Sequence, residues 1–194
     1  LESDLSAMND PLTAHKKLAA CNYAGHAAHE MHFAMDLLEA RGMDMDSAEA
    51  EAVAQAYVKD VIMHEVGHTL GFRHNFKAST VYSMKQIQDV EFTRKNGVTA
   101  SVMDYTPFNL ATKGEKQPEY VMSTLGPYDY WAVEYAYKPI APADEKAELA
   151  KIASRSNEPL LAYATDEDAG YGALLGIDPE ANRFDLGGDP LEYY

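Results

Sequence analysis

Residues 64–74 read His64-Glu65-Val66-Gly67-His68-Thr69-Leu70-Gly71-Phe72-Arg73-His74, which places three imidazoles and one carboxylate in a short run. On a helix, residues four apart project from one face a turn apart, so His64 and His68 can reach a single metal ion. Glu65 falls beside that face, where a carboxylate can take a proton from a water held on the metal. Gly71 can adopt the left-handed backbone conformation that ends a helix and reverses the chain, which brings His74 under the same ion. Three neutral histidines with a fourth position left open are a ligand set for Zn2+ in a hydrolytic site. The five fixed positions arise by chance in roughly one such chain in ten thousand or fewer, so coincidence is a poor account of them. A buried helix that merely carries these residues would also have to explain polar groups in an otherwise apolar stretch, Val61, Ile62, Met63, Val66, Leu70 and Phe72.

A second element follows. Asn96-Gly97 marks a turn, and Ser101-Val102-Met103-Asp104-Tyr105 comes after it. Together the two runs resemble the metzincins, zinc peptidases with a third histidine after the helix-ending glycine and a methionine turn further on. The resemblance implies that Met103 forms an apolar floor beneath the metal, packed against the ligand rings without coordinating. It also offers Tyr105 as a second catalytic residue, donating a hydrogen bond to developing negative charge. Tyr105 could equally be one of the 13 tyrosines packing a half-buried surface.

Closer still, the chain resembles a bacterial group of large zinc-dependent metzincin-like proteases. Their catalytic segment reads HEVGHTLGxRHNF, followed by SVMDY and LGPYDxWAxEY, present here as His64–Phe76, Ser101–Tyr105 and Leu125–Tyr135. The similarity extends to Ala40-Arg41-Gly42 and to Asp185-Leu186-Gly187-Gly188-Asp189-Pro190. Asn75 follows the third histidine, where other metzincin families commonly carry Glu, Ser, Asp or Pro, so their specificity rules do not transfer. A secreted or periplasmic setting is implied by the resemblance alone.

The elements that must position these residues are mainly helical. A helical pattern runs from about Thr13 to Arg41 through Leu18, Tyr23, Ala27, Met31, Met35 and Leu38, with Gly25 a candidate interruption and Gly42 a stop. Asp46, with Glu49 three positions on, is expected to cap the next helix, whose apolar spacing continues through Val53, Tyr57 and Val61 into the histidine run. At about 1.5 Å per residue that helix would be roughly 35 Å long. Ser83 to Lys95 reads as a short amphipathic helix, Val98 to Tyr105 as extended chain, and 106–124 as irregular. Pro127 suits a first helical position ahead of the aromatic segment Tyr128–Tyr137, and a further helix is expected from about Ala143 to Ser154. Leu160–Ala164 and Tyr171–Ile177 are further helical candidates, and residues 185–194 read as a tail or linker. No alternating strand pattern precedes residue 46, although metzincins normally place a mixed sheet there that holds the peptide substrate. The expectation is a mainly α chain with little β-sheet, with an α+β fold as the alternative. The sheet would then be supplied by an upstream part of the same polypeptide, of which 1–194 is a single catalytic segment.

Composition narrows the partners. A formal net charge of −15 opposes nucleic acid and anionic membrane surfaces, and no run is long and apolar enough to span a membrane. The single cysteine, Cys21, excludes an intrachain disulfide. It reads as a buried free thiol, with an inhibitory fourth zinc ligand as the rival. His26, His29 and His32 fall at three-residue steps, so the first and last diverge by about 120° around a helix and a solvated face is expected. Asp166-Glu167-Asp168 lacks the spacing of a calcium loop and reads as an exposed turn.

These readings converge on a zinc-dependent endopeptidase that cuts peptide or protein substrates by Glu-assisted attack of zinc-bound water. Glu65 and Tyr105 are its catalytic residues, His64, His68 and His74 its metal ligands, and Met103 its floor. The alternative is a zinc-binding segment, inactive alone, with a structural or peptide-recognition role.

Overall fold

A computed structural model describes residues 21, 23–170 and 176–193. Among these the architecture is helical, without a β-strand: α1 (Tyr23–Ala40), α2 (Ala48–Thr69), α3 (Met84–Ile87), α4 (Val90–Asn96), α5 (Pro127–Tyr137), α6 (Glu145–Ala153), α7 (Asp166–Ala169) and α8 (Pro190–Tyr193). Single 3-10 turns at Ala78–Val81, Ser154–Asn157 and Pro159–Leu161 join some of them. The mainly α expectation holds. The part of the first helix expected ahead of Cys21, with Leu18, and the stretch 171–175 lie outside the described residues.

The long helix α2 begins one residue later than expected. Ser47, with extended backbone, accepts a 3.2 Å hydrogen bond from the Ala50 amide, while Asp44 takes the Asp46 amide at 3.0 Å. A serine cap satisfies an amide that the first turn otherwise leaves unpaired, and Glu49 and Glu51 lie at the electropositive end. The other end closes with Gly71 at φ 86°: its amide bonds to the His68 carbonyl at 2.9 Å and the Phe72 amide to Gly67 at 3.1 Å. This 5→2 and 6→1 pair of bonds needs the left-handed residue that glycine supplies. The chain therefore turns back where the spacing required it to.

The burial of α2 reverses ordinary amphipathicity. Its inward face carries Ala50, Val53, Asp60, His64 and Gly67. Val58, Ile62, Val66 and Leu70, at four-residue steps, are 41–55 % exposed. A helix that turns a carboxylate and an imidazole inward and aliphatic side chains outward gains little from burial on that face, so neighbouring polar groups must satisfy the inward residues.

Three apolar clusters surround that inward face. Tyr82, Ile87, Val98, Met103, Met122 and Leu186 form one. Tyr23, Ala27, Phe76, Tyr105, Ala164 and Ala181 form the second, and Ala34, Leu38, Val53, Phe108 and Val121 the third. Leu186, in the segment read as a tail or linker, is fully buried. The expected Ser83–Lys95 helix is two helices, because Asp89 leaves the helical path and its carboxylate caps α4 through the Phe92 amide at 2.8 Å. Gly25 does not interrupt α1. Pro127 opens α5 as expected, and Trp131 in α5 donates 2.8 Å to the Ile152 carbonyl of α6.

Candidate metal centre

The chain brings His64, His68 and His74 to one point, and a backbone or carboxylate oxygen holds each ring from behind. His64 Nδ1 lies 2.8 Å from the Val102 carbonyl oxygen, His68 Nδ1 2.9 Å from that of Phe72, and His74 Nδ1 3.0 and 3.1 Å from the two oxygens of Asp166. A carbonyl or carboxylate oxygen can only accept, so each Nδ1 carries a proton, and a ring in its neutral form then presents a bare Nε2 lone pair. His68 Nε2 and His74 Nε2 stand 3.2 Å apart. Two lone pairs at that distance repel unless a cation lies between them. With metal–nitrogen bonds of about 2.0–2.1 Å, a tetrahedral zinc has N···N edges of about 3.3 Å, which this spacing meets.

A fourth donor atom lies with them. One donor atom each from Cys21, His64, His68 and His74 falls within a common 4.8 Å spread. Cys21 Sγ is 3.4 Å from His64 Nε2, 3.4 Å from Glu65 Oε1 and 3.4 Å from the Tyr105 hydroxyl. The thiol is half-buried, and it faces these polar atoms rather than an apolar pocket.

The turn at Met103 lies under α2. Met103 is buried, and a Cβ added to Gly67 would overlap its sulfur. The Asn75 amide, next to His74, donates 2.9 Å to the Met103 carbonyl, tying the third histidine to this turn. The Asn75 side chain donates to the Ala162 carbonyl at 3.0 Å and accepts from the Ala164 amide at 3.3 Å. Tyr105 is buried with its ring edge-on to His74, centroids 4.8 Å apart.

A sequence model of the Met-zincin family matches residues 46–194, which include the three histidines, Glu65 and Met103. The chain belongs to the Met-zincin family. Comparisons with curated proteins and with solved structures each gave no match.

In this Met-zincin the charge state of His64 suits metal binding. Burial, helped by the neighbouring His68, pushes His64 down to about 3, so the ring stays neutral and able to ligate. At His74 burial acts in the same direction and is the largest single effect, but the hydrogen bonds and charges of Asp166 and Cys21 together outweigh it and the net shift is upward. Asp166 is correspondingly held below the usual carboxylate range, because His74 and Arg183 overcome its own burial. A carboxylate behind a ligating histidine fixes its tautomer and raises its basicity.

Sequence reasoning missed several supporting residues. Asp166 does not belong to an exposed turn: its side chain points inward to His74 and Arg183, and only Glu167 of the three acids is strongly exposed, paired with Arg73 at 2.7 Å. Asp129, inside the Leu125–Tyr135 motif, accepts from Ser101 Oγ at 2.6 Å, the Val102 amide at 3.0 Å and the Gly126 amide at 2.8 Å. It thereby fastens the turn whose Val102 carbonyl orients His64. Tyr23 stacks on Tyr105 with centroids 4.7 Å apart and donates 2.6 Å to Asp60. Asp129 was within reach of the sequence, since an acid at the third helical position after Gly126-Pro127 is placed to accept from the amides at the helix start. Asp166 and Tyr23 carried no local signal. His26, His29 and His32 are exposed on α1, as expected.

Proposed function

We propose that this Met-zincin segment is the catalytic part of a zinc-dependent endopeptidase. The reading is carried by the three Nε2 lone pairs meeting at one point beside a carboxylate that need not bind the metal. His64, His68 and His74 would hold the ion and Met103 would support the rings from below. When bound, zinc supplies a Lewis acid that acidifies a water and polarises the scissile carbonyl. Glu65 takes the proton released by the attacking water and passes it to the departing amine. The Tyr105 hydroxyl and Glu65 Oε1 each lie 3.4 Å from Cys21 Sγ, and from there Tyr105 can donate to the oxygen that gains negative charge. Val102, Phe72 and Asp166 keep the three imidazoles in one tautomer throughout, so no ring has to reorganise.

The exposed stripe Val58, Ile62, Val66 and Leu70 supports a further proposal, that another part of the same polypeptide, ahead of Leu1, covers α2 and supplies a wall for the peptide. One observation favours a second reading, a closed structural zinc site: the Cys21 sulfur offers a fourth protein donor. Glu65 argues against it, because a permanently closed site has no use for a free carboxylate beside it.

The deciding experiment measures zinc content and hydrolysis of an unstructured protein, for the wild type and for Glu65→Ala, with and without upstream polypeptide. Zinc should be bound equally by both, and hydrolysis should fall by about 10²–10⁴-fold on loss of the base. Absence of zinc from both, or undiminished hydrolysis in Glu65→Ala, would overturn the assignment.

A further inference from the structure

Away from the metal centre, the 3-10 turn at Ala78–Val81, α3, α4 and the start of α5 border a cavity of about 440 Å³. Sites for small ligands span about 300–1,000 Å³, so it has room for one. Phe92, Leu125, Pro127, Tyr130 and Leu160 give it apolar walls. Leu125, Tyr130 and Leu160 are 40, 62 and 48 % exposed, so three large apolar side chains of the kind usually scattered over a surface converge on one opening.

Polar groups on the same cavity have hydrogen-bonding capacity to spare. Tyr82 is only 5 % exposed, with its ring edge-on to Phe92 at 4.9 Å between centroids, and its hydroxyl has no hydrogen-bond partner among the described residues. A buried phenol ordinarily has one. Burial and the charge of Asp129 push the Tyr82 phenol up, so it keeps its proton, while the Asp129 oxygens are already taken by Ser101, Val102 and Gly126. Asn96 spends an amide hydrogen on the Phe92 carbonyl at 2.9 Å, which leaves its side-chain oxygen to accept. Lys95 makes no ion pair among the described residues, whereas the neighbouring Arg94 is held by Glu91 at 2.8 Å. In a chain of net charge −15, an unpaired cation on a cavity rim favours an anionic partner.

We propose that this cavity binds the C-terminal residue of a peptide, taking its large apolar side chain against Phe92, Tyr130 and Leu160 and its terminal carboxylate at Lys95. The N–H of that residue donates to the Asn96 side-chain oxygen, and the Tyr82 hydroxyl donates to an oxygen of the peptide. No lining residue is a candidate zinc ligand, Glu65 or Tyr105, so the proposal stands apart from the peptidase reading.

Calorimetric titration with N-acetyl-L-phenylalanine, its C-terminal amide and 3-phenylpropionate reads these contacts separately. The N-acetyl acid should bind about fivefold more tightly than the amide, as suits a part-exposed ion pair, and more tightly than 3-phenylpropionate, which has no N–H. Lys95→Met should abolish the preference for acid over amide. Tyr82→Phe should weaken the acid by about three- to tenfold yet leave thermal unfolding unchanged, because the hydroxyl has no partner to lose in the free protein. Zinc content should be equal in all three proteins, so failure here leaves the metal centre standing. No saturable binding of the acid, equal binding of acid and amide, or binding untouched by both substitutions would overturn the proposal. Binding of 3-phenylpropionate as tight as that of the acid would overturn the peptide as occupant in favour of a free aromatic acid.

Discussion

Gly67 lies against Met103 so closely that any side chain at position 67 would have to displace the methionine sulfur. The glycine sits inside α2, between the two histidines of that helix, where intrinsic propensity favours alanine by about 1 kcal/mol. Met103 is itself buried in the core, and overpacking of this kind costs about 1–3 kcal/mol. Gly67→Ala should therefore lower stability rather than raise it. In a cycle with Met103→Ala the double variant should be more stable than the sum of the two single losses implies, since the methyl group added on α2 enters space the methionine vacates. Denaturant unfolding of the four proteins reads this directly, and additive losses would show that the two residues do not meet.

Asp129 is the fastening of the turn. Removing its carboxylate leaves the Ser101 hydroxyl and the Val102 and Gly126 amides without their acceptor in a buried place. Each lost partner costs about 1–3 kcal/mol, so Asp129→Ala should lose about 3 kcal/mol or more, with Asp129→Asn intermediate because one acceptor oxygen survives. Zinc affinity should fall in parallel, because Val102 also orients His64. Thermal unfolding and zinc titration of the same samples would reveal whether the two losses travel together.

Asp166 should matter to the metal more than to the fold. It supports His74 from behind and is itself steadied by Arg183. Loss of such a carboxylate typically weakens metal binding by about 10–100-fold. Asp166→Ala should show that loss in competition with a chromogenic chelator, and Asp166→Asn a smaller one. Unchanged affinity in Asp166→Ala would remove the residue from the site.

Asp60 supplies a pH dependence. Burial, only partly offset by the hydrogen bond from Tyr23, pushes its carboxyl up to about 7. An aspartate in the unfolded chain titrates near 3.9. The native state thus keeps a proton that the unfolded state releases. Stability from this group is fully present below about pH 4 and is lost as pH rises to about 7, on the order of 4 kcal/mol in all. Asp60→Asn has no proton to lose and can still accept from Tyr23. Its stability relative to wild type should climb between about pH 4 and 7 and then level off. Denaturant curves across that range at fixed zinc would show the climb, and a flat difference would mean that Asp60 is ionised in the native protein.

The legible part of this protein lay in local periodicities. Four-residue spacing fixed the common face of His64 and His68, and Gly71 announced the reversal that brings in His74, because both effects are settled within one or two helical turns. The start of α2 was readable to one residue, with the cap at Ser47 rather than Asp46, since neighbouring polar side chains compete for the same amides, whereas the break at Asp89 between α3 and α4 was not read. The mainly helical character followed from the same spacing.

Tertiary structure alone decided what stands around that core. His74 and Asp166 are 92 residues apart in sequence, and Cys21 and His64 43 apart. Their meeting depends on how irregular segments run across the clusters, which no periodicity encodes. The face of α2 that turns inward was likewise settled by partners rather than by hydropathy: Asp60 and His64 are buried because Tyr23 and the Val102 carbonyl wait for them, while four aliphatic residues remain outside. Sequence determined the candidate metal ligands because their geometry is a property of one helix and its stop. Packing determined their tautomers, their supports and the approach of Cys21, because those are properties of chain segments that only folding brings together.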